Sequence, residues 1–296
     1  MTSAKIGKGI RTIEQYTFSG CSSLTDMQIG NNVATISKYA FQYCSALPKI
    51  QIPQGVTVIQ DYAFSGCKSL KTVIMDDQET ELTLGSNGSK PLFEGCPLES
   101  VYIGRNLSYS TSSNYGYSPF YRNTSLRSVT ITDKETEISP NEFYGCTNLK
   151  NVSIGDGVTT IGDWAFSGCS SMDYFAFGSS MKTIGKEAFS DCTAITRLIS
   201  HAVTPPTCGT QALDGINKWN CTLSVPEGST SDYQQADQWK DFFFINNDMT
   251  GISKLTNGTA MPTNIYDLNG QKIDGIKPGL NIIKKNDGSI RKVIVQ

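Results

Sequence analysis

Apolar residues return along this chain in a fixed order. Phe18, Phe41 and Phe64 are followed by Leu24, Leu47 and Leu70, then by Met27, Ile50 and Val73, then by Ile29, Ile52 and Met75. The Phe anchor recurs at 18, 41, 64, 93, 120, 143, 166 and 189, and five of the seven intervals are 23 residues. A fixed period in this range is the mark of a stacked repeat. The best-kept unit places apolar residues at Val158, Ile161, Ala165, Phe166, Cys169, Met172, Phe175 and Phe177. The next unit repeats this from Met181 to Leu198 but holds Ser200 in its final slot, which signals the end of the array.

The unit has two halves. The second half, as in Leu24-Thr-Asp-Met27-Gln-Ile29, alternates with period 2 and predicts a strand. The first half spaces its apolar residues at 0, 3, 7 and 8, as in Val33, Ile36, Ala40 and Phe41, and predicts a helical face. Clusters such as Ser19-Gly20 and Gly155-Asp156-Gly157 supply turns between them. One unit cannot bury its apolar face alone, but parallel stacking buries a continuous core. The expected fold is therefore an α/β-type solenoid with a parallel sheet on one face. Eight strands at about 4.8 Å each give a sheet roughly 38 Å long.

Seven of the nine cysteines, Cys21, Cys44, Cys67, Cys96, Cys146, Cys169 and Cys192, share one slot of the unit, and Asn123 fills it in the fifth. Adjacent slots lie one rung apart, within reach of a disulfide, but their side chains point in parallel. A reduced, buried ladder of small hydrophobes is the expectation. Cys208 and Cys221 lie outside the ladder and could pair with each other.

The segments Ile161-Gly-Asp-Trp-Ala-Phe-Ser-Gly-Cys169 and Val56-Thr-Val-Ile-Gln-Asp-Tyr-Ala-Phe-Ser-Gly-Cys67 resemble leucine-rich repeats of the Treponema pallidum type, found in BspA-like bacterial surface proteins. The resemblance spans about residues 5 to 245. It implies a leucine-rich repeat fold and a role in protein–protein interaction or adhesion to host or bacterial surfaces. Fold does not carry function by itself, so that role is an expectation from analogy.

Where the repeat breaks, candidate contact residues gather. One insertion covers about Asp76 to Pro91; a second, about Arg105 to Pro119, holds Tyr109, Tyr115 and Tyr117. Insertions in adjacent units map to one face, often the binding face. Tyrosines among Ser, Asn and Gly offer contact area with adaptable hydrogen bonding. The alternative is a loop whose tyrosines fold back on the solenoid. The outward slots of the strands are mostly small or polar, and Tyr102, Tyr174 and Arg197 stand out as anchors. Tyr174 and Arg197 are one repeat apart and should be cross-strand neighbours. The acidic runs 76–81 and 133–137 lack the spacing and closing Glu of a calcium loop and read as solvated turns.

After Ser200 the period fails. A degenerate capping unit runs from about 201, with a strand at Thr222 to Val225, a short helix at about Asp232 to Trp239, and Tyr233, Trp239 and Phe242 to Phe244 as a lid. The solenoid is thus assigned to 1–248. Residues 249–296 form a small all-β module, with an Asn-Gly turn inside Ile265-Tyr-Asp-Leu-Asn-Gly270-Gln-Lys-Ile273 and further strands near 279–283 and 291–295. This segment resembles the small β tails of secreted Bacteroidetes proteins, some of which direct sorting to the cell surface.

Composition narrows the partners. The net charge is −2 with no basic stripe, which argues against nucleic acid. No apolar run approaches the roughly 20 residues of a membrane span. The low charged fraction, 18%, suits an exported protein. The chain opens mid-repeat without a visible signal peptide and reads as a fragment of an extracellular or cell-surface protein. Catalysis has little support: His201 is the single histidine, a dyad with Cys208 would sit in a capping segment across two prolines, and no phosphate loop or C-x-x-C pair occurs. No cofactor is implied. The expected partner is an extracellular host or bacterial protein; the alternative is a glycan, or a spacer role.

Overall fold

The structure is a computed structural model that describes residues 1–85, 92–109 and 118–247, together with the backbone of four strands between 265 and 295. The chain divides into two compact units, Met1–Met249 and Thr250–Gln296.

The first unit is a solenoid of parallel strands. One face carries eleven described strands, at Ser3–Lys5, Asp26–Gln28, Lys49–Ile52, Thr72–Met75, Ser100–Ile103, Ser128–Ile131, Asn151–Ile154, Tyr174–Phe177, Arg197–Ser200, Thr222–Ser224 and Phe244–Asn246. The sheet therefore extends beyond the eight expected rungs, because the opening segment and the capping unit each add strands in the same register. Pairing is parallel and in step: Val73 lies opposite Val101, and Met75 opposite Ile103. Each inward residue meets the inward residue of the next rung.

The first half of the unit is not helical, and the α/β expectation is corrected here. Thr12–Ile13, Thr35–Ile36, Val58–Ile59, Leu82–Leu84 and Leu107–Ser108 form a second parallel sheet of very short strands. Glu137–Ile138, Thr160–Ile161, Thr183–Ile184 and Thr207–Cys208 continue the pattern. A run of turns then carries the Phe anchor. In six of the eight runs two positions are left-handed. Two residues before Phe stand Tyr16, Tyr39, Tyr62, Asn141, Trp164 and Glu187, with φ between 50° and 62°. Two residues after Phe stand Gly20, Tyr43, Gly66, Gly95, Arg122, Gly145, Gly168 and Asp191, also at positive φ. A left-handed residue every four positions excludes an α-helix. The apolar spacing is satisfied instead by a bent chain that presents Ile, Ala and Phe inward.

This turn side has its own ladder. The Phe18 N–H donates to Ala40 O, Phe41 to Ala63, Phe143 to Ala165, and Phe166 to Ala188, at 2.8 to 2.9 Å. Backbone groups that a helix would satisfy internally are thus satisfied between rungs. The Phe rings stack behind them, from Phe18–Phe41 at 5.2 Å between centroids to Phe166–Phe189 at 5.5 Å.

The cysteine ladder forms as expected. All nine thiols are free, including Cys208 and Cys221. The ladder thiols donate backwards by one rung: Cys44 Sγ to Phe18 O at 3.1 Å, Cys96 to Phe64 at 3.0 Å, Cys192 to Phe166 at 3.1 Å. The slot therefore asks for a small side chain with one donor. Asn123 answers differently, donating from Nδ2 to Cys96 O at 2.9 Å. Burial pushes the Cys146 and Cys192 thiols up to about 12.

The C-terminal end of the core is closed by the capping unit. Helix is confined there to Thr230–Tyr233 and the 3₁₀ turn Trp239–Asp241. Tyr233 and Trp239 are fully buried. Tyr233 meets Ser200, hydroxyl to hydroxyl, at 2.6 Å, and Trp239 Nε1 donates to Pro206 O at 2.7 Å. The polar Ser200 that ends the array is thus the partner of the lid. Phe244 lies in the last strand rather than in the lid.

In the second unit the described strands Ile265–Tyr266, Lys272–Ile273, Gly279–Lys284 and Ile290–Val295 form one antiparallel sheet, with Gly279–Lys284 between Ile265–Tyr266 and Ile290–Val295. Among the described residues no helix is long and apolar enough to cross a membrane.

Candidate interaction surface

Parallel stacking brings the outward strand slots into rows. In one row Tyr174 lies opposite Arg197. The Arg197 guanidinium carbon sits 4.4 Å from the Tyr174 ring centroid, a cation–π contact on the outer face of the sheet. Beside it Lys150 pairs with Asp173 at 3.3 Å. In the adjoining row Ile199, expected outward, is buried at 4% exposure. Tyr102 stands in that row opposite Ile74 and Thr130. Its hydroxyl donates to Asp77 Oδ1 at 3.0 Å, and desolvation followed by the neighbouring Asp77 and Asp76 charges raises its pKa.

Next to Ile74 the sheet face sinks into a hollow of about 460 Å³. Asp26, Gln28, Lys49, Gln51 and Asp76 line it. Gln51 Nε2 donates to Asp76 Oδ1 at 2.8 Å, so one amide is already held in place. A second hollow of about 450 Å³ gathers Asp133, Asp156, Ser179 and His201. There the N–H and then the hydroxyl of Ser179 hold Asp156 below the usual carboxylate range. His201 is exposed, whereas the Cys208 thiol is pushed up to about 12, mainly by burial. That thiol is not activated as a nucleophile. Among the described residues no group of three or more His, Cys, Asp or Glu gathers as a metal centre would.

The insertion tyrosines separate. Tyr109 is half-buried and packs against the core, with its hydroxyl directed to Glu142 Oε2 at 3.4 Å. That hydroxyl faces inward, not toward a partner. Tyr115 and Tyr117 lie outside the described residues. Arg105, which opens this insertion, is fully buried. It donates to the carbonyls of Asp76, Val56 and Pro53 at 2.8 to 3.1 Å and so ties three loop segments together.

Sequence reasoning missed a second, mostly half-buried aromatic feature. Tyr16, Tyr39 and Tyr62 stack at 5.1 Å between centroids on the turn side, and Lys38 lies over Tyr39 and Tyr62. Tyr121 and Tyr144 stack at 5.2 Å with Arg122 over both rings. The signal was present: a tyrosine two residues before Phe in three consecutive units.

It missed an interior feature too. Glu135 and Glu142 have no solvent exposure. The 133–137 run is therefore not a fully solvated turn, because Glu135 occupies the core slot held by Val158 in the next rung. Desolvation raises both carboxyls, Glu142 to about 8.

The sequence matches the BspA type Leucine rich repeat region, in six copies, over residues 1–119 and 113–205. No curated protein matches it. Among solved structures, a leucine-rich repeat protein from Bacteroides ovatus is 24% identical, with 81% of this chain and 75% of that one covered and a TM-score of 0.41. The leucine-rich repeat protein of T. pallidum is 21% identical, with 58% and 78% covered and a TM-score of 0.44. A leucine rich cell surface protein from Faecalibacterium prausnitzii is 19% identical, with 84% and 63% covered and a TM-score of 0.37.

Proposed function

Because the chain belongs to the BspA-type leucine-rich repeat family, we propose that it is an exported or cell-surface repeat protein that binds another extracellular protein through its long sheet face. The observation that carries this reading is the Arg197–Tyr174 stack. A planar cation on an aromatic ring, standing among small polar side chains, has the composition of an interface hot spot. Arg and Tyr bring contact area and hydrogen-bonding capacity at modest entropic cost. The surrounding rows are polar but weakly charged, which suits reversible contact with a protein surface. Residues 249–296 serve in this reading as a separate small β module.

A second reading, glycan capture, is favoured by the hollow between Asp26 and Asp76. Its amides and carboxylates offer paired donors and acceptors to hydroxyl groups, and its volume lies in the range of small-ligand sites.

The test is a binding screen of the full chain on arrays of extracellular-matrix proteins and glycans, beside Gln51→Ala, Tyr102→Ala, Tyr174→Ala and Arg197→Ala variants checked for folding. A protein bound by the wild type and lost with Tyr174→Ala or Arg197→Ala supports adhesion through the sheet. A glycan lost only with Gln51→Ala supports the second reading. Binding that survives every variant overturns both placements.

A further inference from the structure

The long sheet is interrupted at two places. Among the described residues its strands form three hydrogen-bonded blocks: Ser3–Lys5 with Asp26–Gln28, then Lys49–Ile52 through Asn151–Ile154, then Tyr174–Phe177 through Phe244–Asn246. Both hollows on this face lie at the interruptions, the first over residues 26–29 and 49–51, the second over 154–156 and 176–179. The sequence explains the first seam. In ordinary rungs the residue before the strand donates one rung back: Lys71 N–H to Pro48 O, Glu99 to Lys71, Arg127 to Glu99 and Lys150 to Arg127, at 2.8 to 3.1 Å. The residue after the strand does the same: Asp76 to Ile52, Gly104 to Met75, Thr132 to Ile103 and Gly155 to Ile131, at 2.9 to 3.0 Å. In the rung of Lys49–Ile52 these two slots hold Pro48 and Pro53, which have no N–H. The carbonyls of Thr25 and Ile29, which occupy the matching acceptor slots, receive no donor from them. The strand between the prolines keeps an unpaired edge, whose N–H and C=O groups face the gap.

The gap is too narrow for another strand. The turn side of the same two rungs stays closed, with Thr35 opposite Val58 and Ile36 opposite Ile59. An inserted strand would need roughly 9.6 Å between its neighbours. What fits is a small group with the hydrogen bonding of one peptide unit. The amides of Gln28, Asn31 and Gln51 stand around the seam, and Asp76 holds Gln51 in place. Ile74, opposite Gln51, puts an apolar side chain among them, and Pro53 adds a second apolar wall. Asp26 and Asp76 outnumber Lys49 in the lining, which disfavours an acidic ligand.

We propose that this seam binds an N-acetylated hexosamine, an assignment that rests on the glycan reading above and names its sugar. An acetamido group is a peptide unit with a methyl end. Its N–H supplies a donor where the prolines have none, its oxygen accepts from the amides of the seam, and its methyl packs on Ile74 and Pro53. The ring hydroxyls then meet the outward amides and carboxylates of the hollow.

The test titrates the full chain with N,N′-diacetylchitobiose, with the deacetylated disaccharide and cellobiose as comparators, by calorimetry and saturation-transfer NMR. The acetylated sugar should bind with its methyl protons most strongly saturated, and both comparators should be at least ~10-fold weaker. Two variants, checked for folding by Tm, locate the site. Ile74→Thr removes the methyl contact and should weaken binding about 10-fold. Pro48→Ala with Pro53→Ala restores both N–H groups, should close the seam and should abolish binding. Equal binding of either comparator, or full binding by either variant, overturns the proposal and leaves the glycan reading standing. No binding of the acetylated sugar up to ~10 mM also overturns it, and the glycan reading falls with it only if the wider glycan array is silent too.

Discussion

The thiol of Cys169 donates to the carbonyl oxygen of Phe143 at 3.3 Å, one rung back along the core. The side chain thus fills volume and satisfies a backbone acceptor at once. Cys169→Ala should destabilise the solenoid by about 1–3 kcal/mol, from a small cavity and a stranded carbonyl. Urea unfolding of the folded variant measures this; a change under ~0.5 kcal/mol, the range of indifferent substitutions, would show that the thiol contact is idle.

Cys21 begins the ladder and is half-buried, whereas the six later members are buried. In native protein a thiol reagent should label Cys21 well before Cys44, Cys67, Cys96, Cys146, Cys169 or Cys192. Peptide mass spectrometry after brief alkylation reads the order. Uniform labelling would mean that the rungs open together.

Arg105 is a buried cation held by backbone carbonyls from two rungs. Arg105→Met should cost about 2–4 kcal/mol, because acceptors are left without a donor in the interior. Arg105→Lys should recover less than half, since an ammonium cannot present the guanidinium's fork. Equal stability of the Lys variant and wild type would show that charge alone matters here.

The buried acids reverse the usual dependence on pH. The Glu142 carboxyl is raised by desolvation from its ordinary 4.5 to about 8, and Glu135 is raised by desolvation and then by the Glu142 and Glu137 charges. Between those values the folded chain holds protons that the unfolded chain has released. Stability should therefore be complete below pH 4.5, as far as these groups govern it, and fall as pH rises through about 8. Tm measured from pH 5 to 8.5 should decline, and Glu142→Gln should flatten the slope. A wild-type Tm that climbs over this range would refute the assignment.

Asp191 occupies a left-handed position, φ 58°, where Gly20, Gly66, Gly95, Gly145 and Gly168 stand in other rungs. Asp191→Gly should stabilise by ~0.5–1 kcal/mol, the relief of backbone strain less the entropy a glycine loses on folding. Denaturant midpoints of the two proteins decide the sign.

The period, the repeated apolar inward slots and the parallel sheet were legible, because each of them repeats and repetition averages out local ambiguity; Ile199, Glu135 and Glu142, which break the pattern, were not. The turn side was misread because Val33, Ile36, Ala40 and Phe41 match helical spacing equally well. Glycine two residues after Phe in five units was the contrary signal, since a helix interior disfavours it. The second sheet hid in Thr-Ile pairs too short to show alternation. Tyr174 and Arg197 could be paired in advance, since a 23-residue step fixes cross-strand neighbours. The fold-back of the insertion tyrosines was one of the two readings, but the partner of Tyr109 could not be named, because Glu142 lies 33 residues away across an irregular interval.

The turn-side ladder from Phe N–H to Ala carbonyl, like the two sheets, runs along the stack. Tension applied along that direction loads each rung's bonds nearly lengthwise, one interface at a time. A rung pulled free releases at most ~80 Å of chain for its 23 residues. The steps spanning Phe64 to Phe93 and Phe93 to Phe120, at 29 and 27 residues, release more. A protein stretched between two surfaces in flow would then yield by measured lengths, absorbing work gradually rather than failing as one block.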